Sequence, residues 1–295
     1  MAKPVKQAPV VAVLNMKGGV GKTVVSAHVM RVLYRILAKN VLLIDFDPQF
    51  NLTQTVMNQN VYEKHKKSKR TILEVMEPAA EASLFKVSAV LPPAPQVDEV
   101  AVLLKRLVDD DGAVSGTLKL VPGDFGLVKY SLIEEPKSLA PIRKRFKEFV
   151  DNARSETDLV CIDCNPSSSF MTLCALSVAT HLLIPVKPDR FSILGLELLD
   201  TFVEGLPTLV KKPKQIIVLN DVLRAGGDPA VENILRSHPK FGGRTLATPL
   251  YHSGLIAANP SYTGFATDKP VANRFKVNDN IEKLANEIGK ELGLI

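Results

Sequence analysis

Short uninterrupted apolar stretches recur along the 295-residue chain, and most are separated by segments in which apolar residues follow a helical spacing. Stretches of strand length occupy residues 10–14, 41–44, 118–121, 159–162, 181–186, 216–219 and 245–250. Helical patterns occupy, among others, residues 24–37, 139–153, 192–210 and 281–292. A strand that is apolar on both faces is covered on both sides, which is typical of a parallel sheet flanked by helices. The pattern predicts an α/β fold with a doubly wound, mostly parallel sheet and helices on both faces.

The whole chain, residues 1–295, is predicted to form one domain, a length within the range of large α/β folds. Residues 60–116 are the least regular part and contain LPPAP at residues 91–95, which breaks any regular element. Since the sequences on both sides contribute strands to one sheet, this region is interpreted as a variable insertion and not as a domain boundary. Nine residues precede the first predicted strand, so no separate N-terminal helix-turn-helix domain is expected.

A glycine-rich turn, NMKGGVGKT at residues 15–23, lies between the first predicted strand and the first predicted helix. At such a turn, backbone N–H groups converge on phosphate at a helix N-terminus. Lys22 is expected to reach the β- and γ-phosphates of a nucleotide, and the Thr23 hydroxyl to ligate Mg²⁺. The ordinary Walker pattern has glycine where this chain has Met16, and Lys17 adds a cation at the mouth of the loop. A lysine directed outward there is within reach of a nucleotide held by a second subunit.

The segment from Lys17 to Thr23 resembles the deviant Walker A loop of the ParA/MinD ATPases, most closely that of the ParA (Soj-like) partition proteins. The resemblance implies a P-loop NTPase with ATP and Mg²⁺ as cofactors. It also implies that Lys17 crosses an ATP-sandwich homodimer to touch the partner's ATP. Relatives commonly have a second threonine where this chain has Val24. The nucleotide contacts implied at the loop are Lys17, Gly18, Gly19, Val20, Gly21, Lys22, Thr23 and Val24.

Carboxylates follow two of the predicted strands: Asp45 and Asp47 after the second, and Asp163 after residues 159–162. Buried carboxylates are costly unless they meet a cation or a donor, and parallel sheets bind ligands at these strand ends. Asp45 and Asp47 lie in the sequence DFDPQFN. This sequence resembles an element of the ParA proteins more closely than the shorter equivalent in MinD. The alternative interpretation is a polar helix cap at the end of a strand. By this resemblance Asp47 orients or activates the attacking water. The implied catalytic residues are Lys17, Lys22 and Asp47, and the implied Mg²⁺ site is Thr23, Asp45 and Asp163, partly through water.

The segment from Asp163 to Ser169 has two parts, which are interpreted separately. The sequence from Asp163 to Pro166 resembles the family's switch segment, which would sense the γ-phosphate. Residues 167–169 are serines, but the Gly-x-Ser-x-Gly elbow of a serine nucleophile does not surround them. Capping of a helix that begins near Phe170 is therefore the favoured interpretation.

Two further positions are expected to bind the adenine base. Asn220 ends the strand predicted at residues 216–219, and its amide offers both a donor and an acceptor. The family reads adenine with an asparagine at this place, and the segment around Pro249 resembles the one that passes under the base. The alternative for Asn220 is an ordinary turn residue after a strand.

The charge balance points to an anionic partner. Lysine and arginine total 37 against 31 acidic residues, a net charge of +6 with a pI near 9.1. Basic residues cluster at 64–70, 143–147 and 211–214, and each cluster alone is typical of a solvated face. Two such surfaces on one dimer can raise avidity by about 10²–10⁴. The expected contacts with non-specific DNA are Lys211, Lys212, Lys214, Arg224, Arg274 and Lys276.

The cysteines, the histidines and the N-terminus bear on whether the protein holds other metals and on where it is located. Cys161 and Cys164 have Cys-x-x-Cys spacing, which in a few relatives holds an iron–sulfur cluster, but free buried thiols are expected here. The five histidines have no ligand spacing, so no metal other than Mg²⁺ is expected. The polar N-terminus predicts no signal peptide, and the apolar runs are shorter than the ~20 residues of a membrane span. A cytoplasmic protein is therefore expected, and the resemblance to ParA implies that it associates with the nucleoid.

The C-terminal helix separates the leading functional hypotheses. Its apolar stripe (Ile281, Leu284, Ala285, Ile288 and Leu292) predicts packing on its own domain, whereas a MinD-type protein ends in a basic, membrane-binding helix. The favoured hypothesis is a slow ATPase that dimerises with ATP, binds non-specific DNA and partitions or positions cargo, stimulated by a ParB-like protein. The alternatives are a MinD-like membrane-cycling ATPase and a metal-cluster or metabolic ATPase of the same fold.

Overall fold

Parallel strands form the centre of the fold. The computed structural model describes residues 7–78, 87–88, 90–133, 136–167, 169–207, 209–224, 229–257, 264–268, 270, 272 and 274–295. The strands in these residues are β1 Val10–Val13, β2 Asn40–Phe46, β3 Val102–Val108, β4 Val114–Val121, β5 Leu159–Cys164, β6 His181–Val186, β7 Lys214–Val222 and β8 Leu250–Tyr251. They make one sheet in the order β3-β4-β2-β5-β1-β6-β7-β8, in which β3 and β4 are antiparallel and the other neighbours parallel.

Helices cover both faces of this sheet. In the described residues they are α1 Lys22–Val24, α2 Met30–Leu37, α3 Asn51–Val56, α4 Gln59–Lys67, α5 Ile72–Met76, α6 Val97–Val100, α7 Lys129–Leu132, α8 Ala140–Glu156, α9 Phe170–Val178, α10 Ser192–Gly205, α11 Ala230–Ser237 and α12 Arg274–Glu291. A π-helical turn, Val25–Val29, joins α1 to α2. One apolar core contains α5, α8, α9 and α10, and the other contains α2, α3 and α12. The predicted doubly wound α/β fold is thus confirmed.

The structure differs from the sequence pattern at three places. The helix predicted over residues 192–210 ends at Gly205, because the residue before Pro207 is disfavoured in a helical conformation. The strand predicted at 245–250 is reduced to β8 and a single bridge between Ile217 and Thr245. Strand β3 was not predicted, because it is an edge strand whose residues are only half-buried or exposed. Its apolar run is therefore broken by lysine and arginine.

Much of the 60–116 region is ordered and contributes to the core. Helix α5 inserts Ile72, Val75 and Met76, all fully buried, and β3 pairs with β4. Arg145, predicted in a solvated basic cluster, is instead buried on α8. Its guanidinium donates to the backbone carbonyl oxygens of Glu74, Val75, Pro92 and Pro93 at 2.6–3.0 Å. This side chain therefore fastens the proline-rich segment and α5 to the main domain.

Arg145→Ala is expected to lower the free energy of unfolding by about 3 kcal/mol, because four carbonyl oxygens lose a charged donor. Urea unfolding followed by circular dichroism measures this loss. Lys144→Ala removes an exposed cation from the same helix and is expected to change the stability by less than about 0.5 kcal/mol. Equal stability of the two variants would contradict the fastening function of Arg145.

Helix α12 packs as the sequence predicts. Ile281, Leu284, Ala285 and Ile288 are fully buried against α2 and the sheet. The apolar stripe is therefore used within the domain, which removes the surface that a membrane-binding helix would need. In the part of the chain that the structure describes, none of the helices has both the length and the apolar character that crossing a bilayer requires.

Candidate nucleotide-binding and catalytic site

The glycine-rich loop connects β1 to α1 at the carboxyl edge of the sheet. Gly19 and Gly21 have φ angles of +71° and +89°, in the left-handed region that favours glycine. A Cβ added to Gly19 would have no heavy atom of the described structure within 4 Å, so this part of the loop is open. The loop thus leads directly into a helix N-terminus, where backbone N–H groups are available for phosphate.

Lys22 is the first residue of α1, and it is buried. Its ammonium lies 3.4 Å from the carbonyl oxygens of Asn15 and Lys17, across the loop. Burial lowers the pKa of Lys22, and the charges of Asp163 and Asp47 oppose this effect. The cation is therefore held inside the loop by weak contacts and beside carboxylates, in the position expected of a phosphate-binding lysine.

Asp163, the last residue but one of β5, lies directly beneath the loop. The hydroxyls of Thr23 and Ser26 donate to its two carboxylate oxygens at 2.9 and 2.8 Å. Burial raises the pKa of Asp163 to about 6, although both hydroxyl hydrogen bonds favour the ionised form. Ser26 was missed by the sequence analysis. The available signal was its spacing, since a residue three positions after Thr23 lies on the same side of a helix.

Asp45 is the cross-strand neighbour of Asp163, because β2 and β5 pair in a register that places the two residues opposite each other. Asp45 accepts from the backbone N–H and the hydroxyl of Thr53 at 2.8 and 2.6 Å. Burial, reinforced by the Asp163 charge, raises the pKa of Asp45 to about 8. Two buried carboxylates that disfavour each other's ionisation fit a nearby divalent cation, and oxygen ligands suit Mg²⁺. The donor set of Thr23, Asp45 and Asp163 is therefore compatible with the predicted Mg²⁺ site.

Asp47 lies in the turn after β2 and is half-buried. Its carboxylate accepts from the Gln49 N–H at 2.9 Å, and its carbonyl oxygen accepts from the Phe50 N–H at 2.8 Å. Burial raises the pKa of Asp47, while the Gln49 hydrogen bond and the Lys22 charge oppose this shift. Asp47 therefore has a fixed backbone and a partly accessible carboxylate on the Lys22 side of the site.

Asn220, near the end of β7, contacts the phosphate loop through its side chain. Its Nδ2 donates to the Val20 carbonyl oxygen at 2.8 Å, and a Cβ added to Gly21 would lie 2.0 Å from the same nitrogen. The amide thus holds the loop with one N–H group and retains its carbonyl oxygen for other partners. This contact between residues 200 positions apart was not predicted. Pro249 directly precedes β8, which β6 and β7 separate from β1. Its carbonyl oxygen accepts from Asn280 at 2.8 Å.

A cleft of about 810 Å³ opens beside Asn220, at the ends of β6 and β7. Asp221 lies in it and accepts from His252 at 2.6 Å, and the Lys187 ammonium forms an ion pair with it. Burial raises the pKa of Asp221, but the hydrogen bonds from Lys187 and His252 oppose burial and lower the pKa overall. Asn220 itself does not line this cleft, so the adenine contact of its amide stays a prediction.

Lys17, half-exposed at the mouth of the loop, forms an ion pair with Asp189 of the same chain. Asp189 follows β6. Desolvation is the largest single effect on its pKa and raises it, but the hydrogen bonds from Lys17, the Phe191 N–H and Ser192, together with the Lys17 charge, lower the pKa overall. Asp189 was not identified from the sequence, since nothing in its surroundings marks it as the partner of a residue 172 positions away. In this structure Lys17 is therefore held by its own chain.

The remaining candidates are placed as follows. Ser169 caps α9 by accepting from the Thr172 N–H at 3.4 Å, so the capping interpretation is confirmed. Cys161 and Cys164 are buried and free, and burial raises the pKa of each thiol. Among the described residues no group of three or more histidine, cysteine or acidic side chains has the geometry of a metal site.

The predicted DNA contacts lie at opposite edges of the sheet. Lys212 forms an ion pair with Glu204 and Lys214 with Glu291, at the amino edge where β7 begins. Lys211 is exposed beside them. At the carboxyl edge, the Arg224 guanidinium lies 4.1 Å from the centre of the Tyr251 ring. Arg274 and Lys276 lie in the first turn of α12. These six residues therefore do not form one continuous surface, and their contact with DNA stays a prediction.

Comparisons with known proteins agree with this geometry. Residues 8–216 match the family AAA_31, described as an AAA domain. A ParA family protein from Chlamydia muridarum (strain MoPn / Nigg) is 33% identical over 200 residues, which are 66% of this chain and 65% of that protein. The match thus spans less than two thirds of that relative's own length.

Solved structures share the fold over nearly the whole chain. A protein from Borrelia burgdorferi B31 assigned to plasmid partition, with bound AMPPNP, superposes with a TM-score of 0.64 at 19% identity, covering 97% of this chain and 100% of that chain. The pNOB8 ParA bound to nonspecific DNA superposes with a TM-score of 0.63 at 19% identity, covering 97% of this chain and 99% of that chain. At this identity the likeness establishes the fold. Because the family match covers more than half of the sequence, the chain belongs to the AAA_31 family and, within it, to the ParA/MinD-type ATPases.

Proposed function

We propose that this protein is a switch ATPase that dimerises around ATP, binds non-specific DNA in that state and is released by hydrolysis. The observation that carries the proposal is the pairing of Asp45 with Asp163 beneath Lys22 and Thr23. This arrangement combines a phosphate-binding loop, a cation site and a carboxylate that can face water. Those parts are what phosphoryl transfer to water requires.

Each side chain has a defined task in this proposal. Bound Mg²⁺ would neutralise charge on the β- and γ-phosphate oxygens. Lys22 would turn from the loop carbonyls to the γ-phosphate, because its contacts at 3.4 Å are weak. Thr23 and Ser26 hold Asp163 in the orientation that faces the loop. Asp47, anchored through Gln49 and Phe50, would orient the attacking water and accept a hydrogen bond from it.

Dimerisation is supported by the environment of Lys17. Its partner Asp189 lies three residues before α10. Phe191, directly before this helix, and Leu194 and Leu198 within it form an apolar stripe that is 52–60% exposed. Exposed apolar residues at this spacing are typical of an interaction surface. In the proposed dimer, Lys17 leaves Asp189 and contacts the γ-phosphate held by the partner, while the apolar stripe is covered.

Lys17→Ala is expected to bind ATP with near wild-type affinity but to remain monomeric, because the cross-subunit contact is lost. Sedimentation velocity with AMPPNP, ADP or no nucleotide measures this difference. Lys147→Ala, which removes an exposed lysine paired with Asp151 on α8, serves as the control and is expected to dimerise. The cross-subunit function of Lys17 fails if the variant dimerises and hydrolyses ATP as the wild type does.

The DNA-binding part of the proposal is supported by the net charge of +6. Contacts with phosphates alone give Kd values of about 10⁻⁴–10⁻⁶ M and weaken steeply with salt. A ParB-like activator would accelerate hydrolysis at a cargo, and the cargo would follow the resulting gradient of DNA-bound protein. Purified protein is therefore expected to hydrolyse Mg²⁺–ATP slowly alone. Turnover that is fast without any partner would contradict a switch.

The alternatives have less support. A membrane-cycling ATPase needs a free amphipathic face, whereas the apolar face of α12 is used in the core. A metal-cluster protein needs accessible thiolates, whereas burial keeps the Cys161 and Cys164 thiols protonated.

A further inference from the structure

One short segment, residues 59–70, carries a large excess of positive charge, and we call it the α4 basic segment. It contains α4 and the turn after it, and it carries Lys64, Lys66, Lys67, Lys69 and Arg70 against the single carboxylate of Glu63. These twelve residues therefore supply four of the six net positive charges of the protein. A segment this small with such an excess of charge produces a strong local potential.

Helix α4 contributes little to the core. The structure describes this helix throughout, and none of its residues is buried. Lys64, Lys67 and Lys69 are exposed and, in the described part of the chain, have no carboxylate within ion-pair distance. Lys66 lies 3.5 Å from Asp124. Lys212 and Lys214 of the 211–214 cluster, by contrast, are each already paired with a glutamate.

The α4 basic segment is anchored at both ends to the carboxyl edge of the sheet. At its start, the Tyr62 ring stacks on Phe50 with 5.3 Å between ring centres. At its end, the Arg70 guanidinium donates to the carbonyl oxygens of Asp98 and Ala101 at 2.9 Å. The free lysines are therefore held in place on the same edge that carries the nucleotide loop.

A short path connects this segment to the proposed catalytic carboxylate. Phe50 has a left-handed φ of +41°, and its N–H donates to the carbonyl oxygen of Asp47 at 2.8 Å. The Tyr62 hydroxyl is buried and has no hydrogen-bond partner among the described residues. If the Asp47 turn shifts on binding the γ-phosphate, these contacts would carry the shift through Phe50 to Tyr62 and α4.

We propose that Lys64, Lys67 and Lys69 form the surface through which this protein binds the phosphates of duplex DNA, and that the Phe50–Tyr62 stack makes this binding depend on ATP. The proposal rests on the proposed function and names its DNA-binding surface. Lys64 and Lys67 lie one helical turn apart on the same side of α4, and Lys69 follows in the turn. Three neighbouring cations of this kind can contact one phosphate backbone without reading sequence.

The test compares two triple variants that each remove three positive charges. K64Q/K67Q/K69Q changes the α4 basic segment, and K211Q/K212Q/K214Q changes the opposite edge of the sheet. Binding to random-sequence duplex DNA is measured by anisotropy at several salt concentrations with AMPPNP. The first variant is expected to bind about tenfold or more weakly, with a slope of log K against log salt smaller by about 3. The second variant removes three of the DNA contacts expected from the sequence. Because Lys212 and Lys214 are already paired with glutamates, it is expected to bind as the wild type does. Both variants should retain ATP binding.

The outcomes separate the inference from the proposed function. If the wild type binds DNA only with AMPPNP and K64Q/K67Q/K69Q binds equally well, the surface is wrong and the function stands. If the wild type binds no DNA with any nucleotide, both are wrong. Binding of the lysines to anionic vesicles of phosphatidylserine and phosphatidylcholine, without DNA binding, also overturns the inference.

The coupling is tested at Tyr62. Tyr62→Leu removes the stack on Phe50 and leaves all five cations, so DNA affinity is expected to become nearly equal with AMPPNP and ADP. Tyr62→Phe retains the ring and is expected to keep the wild-type dependence on nucleotide. A Tyr62→Leu protein that still responds to AMPPNP as strongly as the wild type overturns the coupling.

Discussion

Gly21→Ala is expected to weaken ATP binding about 100-fold while the domain remains folded. Gly21 has a φ of +89°, where a residue with a Cβ is strained by about 1–3 kcal/mol. The added Cβ would also lie 2.0 Å from Asn220 Nδ2, which must then leave the Val20 carbonyl oxygen. A combined cost of about 3 kcal/mol corresponds to an affinity loss of about 100-fold.

Isothermal titration with Mg²⁺–ATP measures the affinity, and circular dichroism checks the fold. Gly195→Ala in α10 is the matched control, because a Cβ there meets no described heavy atom within 4 Å. It is expected to bind ATP as the wild type does. A Gly21→Ala protein with unchanged affinity would contradict the contact between Asn220 and the loop, and with it the placement of the base beside β7.

Asp47→Ala is expected to bind ATP and to accumulate in the ATP-bound dimeric state, because the side chain that orients water is lost and the phosphate contacts remain. General acid–base assistance of this kind contributes about 10²–10⁴-fold to a rate, so hydrolysis is expected to fall by a similar factor. Single-turnover hydrolysis measures the chemical step, and sedimentation with ATP measures the dimer. Both are needed, since the prediction is slow chemistry together with a long-lived dimer.

Asp151→Ala, which removes a half-exposed carboxylate from α8, controls for the loss of one negative charge. Wild-type turnover in Asp47→Ala would remove the assignment of Asp47 to water. Loss of ATP binding in the same variant would instead show that Asp47 contributes to nucleotide or metal binding and not to hydrolysis.

The parts that the sequence predicted are those in which neighbouring residues determine the outcome. Continuous apolar runs predict buried parallel strands, and seven of the eight strands in the described residues were anticipated in part. The phosphate loop could also be predicted from neighbouring residues, because its glycines, its lysine and the start of the following helix all lie between Asn15 and Thr23. The acids at the ends of β2 and β5 were expected to meet because parallel strands share one carboxyl edge.

The features that were missed depend on contacts between distant parts of the chain. Asn220 holds the loop at Val20, Lys17 pairs with Asp189, and Arg145 fastens the proline-rich segment. The sequence around a residue does not indicate which distant carbonyl oxygen or carboxylate its side chain will contact after folding. Strand β3 was missed for a related reason, since an edge strand keeps polar residues and lacks a continuous apolar run.

The measurement that tests the account most directly is binding to random-sequence duplex DNA and to anionic liposomes, side by side, with ATP, ADP and no nucleotide. The account predicts salt-sensitive DNA binding that requires ATP, and no binding to liposomes in any nucleotide state. Binding to liposomes without binding to DNA would contradict it, and so would DNA binding of equal strength with and without ATP.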